Sequence, residues 1–97
     1  MDSLTKTVSD VVMGYAHNGL NSQSYFTHND DNTVFSVVTL TDNNTSFVSL
    51  LVRVNHSMVI IAQDRNNKAL VDALLQAGIP RESIILAYKG EAIPAAI

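Results

Sequence analysis

Ninety-seven residues, 46% of them hydrophobic and 15% charged, make a chain able to bury one core beneath a surface with fewer charges than a globular average. Six Lys and Arg stand against nine Asp and Glu, a net charge of −3 with no cluster of cations, so direct binding to the phosphate backbone of DNA or RNA is disfavoured. With no cysteine there is neither a disulfide framework nor a thiolate zinc site, and with no signal-peptide pattern and no apolar run near the roughly 20 residues of a membrane span, a single cytoplasmic domain over 1–97 is expected, away from membranes.

Leu4, Val8, Val11, Val12 and Tyr15 recur at the spacing of one helical face, which predicts an amphipathic helix over 3–16. Asp2 or Ser3 can cap its start, and "HNGLN" supplies the Asn and Gly that end it. Four segments rich in β-branched and aromatic residues follow, at 24–28, 33–41, 46–54 and 58–62. The connectors "NDDN", "DNN" and "NHS" are made of residues whose side chains bond their own backbone, so consecutive hairpins, and hence an antiparallel meander, are predicted.

Alternation along these strands leaves apolar groups on both sides. Val34, Ser36, Val38 and Leu40 oppose Phe35, Val37 and Thr39, while Val48, Leu50, Val52 and Val54 oppose Phe47, Ser49, Leu51 and Arg53. The expectation is that a mixed face bearing Phe35, Val37, Phe47, Leu51 and Arg53 serves as an interface, with a homodimer the natural outcome. Arg53, a lone charge in an apolar strand, is either a solvent-facing residue or an interface arginine paired with an acid.

After Asp64 the period becomes helical: Ala69, Leu70, Ala73, Leu74 and Ala77 form a stripe, capped by Asp64, Asn66 or Asn67, with Lys68 and Asp72 as an i, i+4 pair in water. Gly78 suits the left-handed position just past the helix, Ile79 is placed to touch Leu74, and Pro80 stops the helix from resuming. "IILAY" (84–88) reads as a buried strand, and the tail 89–97 as loosely ordered or docked on a neighbour. The predicted class is α+β, in the order α-β-β-β-β-α-β, with both helices on one face of the sheet.

The residues that carry chemistry are dispersed. His17, His28 and His56 lack the spacing of a zinc motif, and His28 beside Asp30 and Asp31 reads as part of a polar turn. No serine sits in a nucleophile elbow, and Gly14, Gly19, Gly78 and Gly90 are too far apart to cradle a phosphate. No catalytic residue, metal ligand or cofactor is predicted, and the chain is not expected to be an enzyme. The candidate ligand contacts are Arg65, Asn66 and Asn67, where the start of the second helix could hold an anion or a small molecule.

The run "DRNNKALVDALLQAGIPRESIILAY" resembles the XisI family, the cyanobacterial fdxN element excision controlling factors. The likeness rests on Gln63 and Asp64, the helix ending Ala77-Gly78-Ile79-Pro80, the pair Arg81-Glu82, Ile84-Ile85-Leu86 and Tyr88, preceded by an N-terminal helix that ends in "YAH". The sequence departs from the family pattern in having no Trp and in ending "GEAIPAAI". The resemblance implies an accessory role in controlling excision of a DNA element, exercised through a XisH-like protein partner and without catalysis of its own. It supplies no catalytic residue to carry over.

Overall fold

The first helix begins where a carboxylate can receive a free backbone donor. In the computed structural model, which describes residues 2–94, Asp2 Oδ1 accepts the Thr5 N–H at 2.7 Å and opens helix α1, Ser3–Met13. The Leu4, Val8, Val11, Val12 and Tyr15 stripe lies against the core, with Val8 and Val12 fully buried. The helix ends earlier than its periodicity predicts, because Gly14, Tyr15 and Ala16 tighten into i→i+3 bonds to Val11, Val12 and Met13.

Strands β1 (Ser22–His28), β2 (Val34–Thr41), β3 (Ser46–Asn55) and β4 (Met58–Asp64) form the predicted antiparallel meander. Its turns use Asn32, Asn44 and His56 at positive φ, a conformation in which Asn and His are several-fold enriched. Asn29 anchors the first turn by accepting the Thr33 and Val34 N–H groups, each at 2.9 Å. Two bulges interrupt the ladders. Ser49 is an extra residue between the Val37–Leu50 and Val38–Val48 pairs, and Ala62 is extra between Val52–Ile61 and Leu51–Gln63.

Helix α2, Leu70–Gln76, has Ala69 at its N-cap position in place of the expected Asp64, Asn66 or Asn67, and Asp64 at the end of β4 supplies the bond from a distance, its Oδ2 accepting the Leu70 N–H at 2.6 Å. Past the helix, Gly78 has φ +94° and the Ile79 N–H reaches back to the Leu74 carbonyl at 3.1 Å, so that Ile79 and Leu74 share the core as predicted. Lys68 does not pair with Asp72; its Nζ donates to Gln76 Oε1 at 3.0 Å, one helical turn further on. After a 3-10 turn at Arg81–Ser83, strand β5 (Ile84–Ile85) joins the sheet parallel to β4, giving the order β1-β2-β3-β4-β5 and the α+β class expected.

β5 is shorter than predicted, Ile84–Ile85 in place of 84–88. Leu86 turns the chain out of the ladder, a 3-10 turn takes Ala87–Lys89, and the Leu86 N–H is satisfied by Glu91 Oε1 at 2.8 Å instead of by a strand. Glu91 also pairs with Arg81 at 3.0 Å, which clips the start of the tail to the turn before β5. Residues 95–97 of the tail lie outside the described residues.

The core is one layer. Phe35 and Val37 of β2, Leu50, Val52 and Val54 of β3, and Val59 and Ile61 of β4 meet Val8 and Val12 of α1 and Leu70 and Leu74 of α2. At one end of this face hydroxyls replace methyls: Ser24 and Thr39 bond each other at 3.1 Å, Thr39 donates to Ser49 at 3.4 Å, and Ser49 donates to the Val37 carbonyl at 3.2 Å. No buried side-chain polar atom among the described residues is left without a partner.

Adjacent leucines on opposite faces give a direct test of this layering. Leu50→Ala should cost about 2–5 kcal/mol of stability in urea unfolding and Leu51→Ala less than about 1.5, since only Leu50 is fully buried beneath the helices. The tail clip gives a second. The Leu86 N–H bonded to the Glu91 carboxylate, with Arg81 adding, holds its pKa below the ordinary 4.5. A depressed acid contributes stability above its unfolded value that is lost as pH falls through its folded one, so the Tm advantage of the native chain over Glu91→Gln should shrink below pH 4.5.

Candidate functional site

Two surfaces present groups that the fold itself does not use up. The first is a crevice of about 370 Å³ lined by Tyr15, His17, Arg65, Asn66, Asn67 and Lys68, so the three predicted ligand contacts do share one wall. Their freedom differs. The Arg65 guanidinium lies 4.4 Å from the centre of the Phe47 ring, and the Arg65 N–H donates to the Ser49 carbonyl at 2.9 Å. Asn66 is spent on Asp64, to which its backbone N–H and Nδ2 both donate, at 3.0 and 2.9 Å.

The start of α2 is likewise occupied, since Asp64 takes the Leu70 N–H that an anion would need. Tyr15 closes the crevice by donating to the Lys68 carbonyl at 3.0 Å. Burial, with the charges of Asp64 and Asp72 adding, holds the Tyr15 hydroxyl above its ordinary 10.0, so it stays a neutral donor at physiological pH.

The second surface is the side of the sheet away from the helices. Here the predicted interface residues separate. Phe35 and Val37 are 0% and 1% exposed and belong to the helix-covered core, so they are not part of an uncovered face. Phe47 pairs with Thr39 and Leu51 with Ser36, and those two β2 positions point to opposite sides. The Ser49 bulge causes the split: without the extra residue, Phe47 and Leu51 would alternate onto the same face. Phe47 therefore lies under Arg65 on the helix side, while Leu51 and Arg53 are on the open side.

The open side also holds Tyr25, Val34, Val38, Leu40 and Val48, which the interface prediction omits although the alternation of Val34, Ser36, Val38 and Leu40 is plain in the sequence. Tyr25, Leu40 and Val48 are 48%, 40% and 36% exposed. Ile60 and Ile85 share this side but are buried, and Ala87 and Ile93 approach Ile60 around a groove of about 330 Å³. His28 Nδ1 meets the Asn29 carbonyl at 2.9 Å, its ring lies 6.0 Å from that of Phe26, and no three His, Asp or Glu side chains converge among the described residues.

This fold and its surfaces can be compared with known proteins. The XisI protein family model matches residues 2–94. The chain belongs to the XisI family. Solved structures show the same fold as this XisI chain: a XisI-like protein from Anabaena variabilis ATCC 29413 has a TM-score of 0.72 at 12% identity, over 84% of this chain and 81% of its own. The fdxN element excision controlling factor XisI of the same organism has a TM-score of 0.70 at 20% identity, over 95% and 92% of the two chains. No curated protein matches. Among the described residues of this XisI member no helix is long and apolar enough to cross a membrane.

Asp64 decides how firmly the crevice is built. Asp64→Ala removes the acceptor for Leu70 N–H and both Asn66 donors, and thermal unfolding should show a loss of about 0.5–2 kcal/mol. A change within experimental error would show that α2 needs no cap.

Proposed function

We propose that this XisI member is a non-enzymatic accessory protein that takes part in controlling excision of a DNA element and does so by binding another protein. The observation that carries the reading is the family match across residues 2–94, joined by the fold shared with an excision controlling factor. A non-catalytic role is supported by the way polar groups are spent: Asp64 caps a helix, Glu91 clips the tail, and Ser24, Thr39 and Ser49 bond one another. Action through a protein, not directly on DNA, is supported by the net charge of −3 and by two of the six cations, Lys6 and Arg81, being paired with acids. The exposed apolar side chains of the open sheet face supply the contact area such a partner needs.

Self-association has its own surface. β1 is an edge strand of seven residues, SQSYFTH, with no Lys, Pro or bulge to discourage pairing with another strand, and a homodimer joined there leaves the open face free.

The test is genetic. In the cell that encodes the chain, sequencing the junctions left by excised DNA elements should show excision changed at least several-fold when the gene is removed, and restored by the wild-type copy. Junction frequencies that stay the same would rule the reading out.

A further inference from the structure

The uncovered side of the sheet has a distinctive charge content. The nine acids of the chain lie on the helices, in the turns, at the α2 cap and in the tail, and none occupies a strand position on that side. Arg53 is there, exposed, with Val34 and Ile60 as its cross-strand neighbours. The ion pairs among the described residues are Lys6–Asp10 and Arg81–Glu91, so this guanidinium pairs with no carboxylate among those residues. Beside it the groove walled by Leu51, Ile60 and Ile93 is apolar, and apolar exposure continues over Val48, Leu40 and Tyr25.

We propose that this face docks a segment of a different protein, one whose apolar side chains cover the strip and whose Asp or Glu pairs with Arg53. The inference deepens the partner-binding reading above and rests on it, adding the surface and the chemistry of the partner. Charge complementarity selects the occupant. Covering Arg53 with apolar groups alone would bury an unpaired guanidinium, which costs more than the apolar contact returns. An occupant must therefore bring a carboxylate. A second copy stacked on the face brings none at its strand positions. A small apolar ligand would fill the groove and leave Tyr25, Leu40 and Val48 wet. The strip runs from β1 to β4, three strand spacings or about 14 Å, which is the scale of a protein segment.

The test uses the full chain and a displayed library of random dodecapeptides as probe. Peptides enriched on the wild-type chain should combine aliphatic or aromatic residues with Asp or Glu. Their affinity should fall roughly tenfold or more for Arg53→Glu and for Val48→Asp, each shown by its thermal transition to be folded. Changing the peptide's acid to Lys should restore binding to Arg53→Glu and abolish it on the wild type, a reversal that a merely misfolded variant could not give. Enrichment of peptides without acids, equal affinity for wild type and Arg53→Glu, or no enrichment would overturn the proposal. So would a concentration-dependent dimer dissolved by Val48→Asp, which would assign the face to a second copy. The accessory reading fails separately: excision that changes on gene removal but not with Arg53→Glu rejects the docking face alone, and acid-dependent peptide binding by a chain whose removal leaves excision unchanged rejects the accessory reading alone.

Discussion

One extra residue in the central strand decides which side chains meet which. Ser49 enters β3 between two ladder pairs, and because strand side chains alternate with period two, everything before it is moved to the opposite face from where a regular strand would put it. Phe47 is carried to the helix side, where Arg65 stacks on it, and Val48 to the open side. The same residue closes the polar end of the core, since its hydroxyl links Thr39 to the Val37 carbonyl and its own carbonyl accepts the Arg65 N–H. A bulge that left those groups unpaired would be a liability in a buried position; here each has a partner.

The two faces of the sheet consequently do different things. The helix side is fully committed, with apolar side chains from β2, β3 and β4 interlocked with α1 and α2, and with Asp64 fixing where α2 begins. Asp2 and Asp64 are drawn into the starts of the two helices, and Ser24 and Thr39 into a hydroxyl chain. On the other side Ile60 and Ile85 are buried, whereas Tyr25, Leu40, Val48 and Arg53 remain exposed and are not used in packing against the helices.

Local rules made most of the fold readable in the sequence. The helix stripes, the Asn and Asp turns and the Gly78-Ile79-Pro80 ending depend on neighbours within a few residues, and all appear where the residue types put them. What escaped depends on partners distant in sequence. "IILAY" has the composition of a strand throughout, yet Leu86 leaves the ladder because Glu91 offers its N–H a carboxylate, which no apolar count can foresee. Alternation assigns Phe47 and Leu51 to one face because it assumes an unbroken ladder, and nothing in "SFVSLLVRV" marks Ser49 as surplus. Phe35 and Val37 belong to the covered side, which the sequence leaves open because it shows two apolar faces and does not say which one the helices choose.

The attachment of β5 sets an order of opening for the molecule. β2 and β3 share seven register positions and β3 and β4 six, whereas β5 is held to β4 by two. Amide exchange in the native state follows such differences, with short, peripheral ladders opening at lower free energy than long central ones. The amides of Ile84 to Leu86 should therefore exchange as one cooperative unit ahead of β2 and β3, taking the Arg81–Glu91 clip with them. Ile93, which walls the groove on the open face, lies just beyond that clip. The groove thus joins side chains of the central strands β2, β3 and β4 on one wall to Ala87 and Ile93, from the segment after the two-residue strand, on the other.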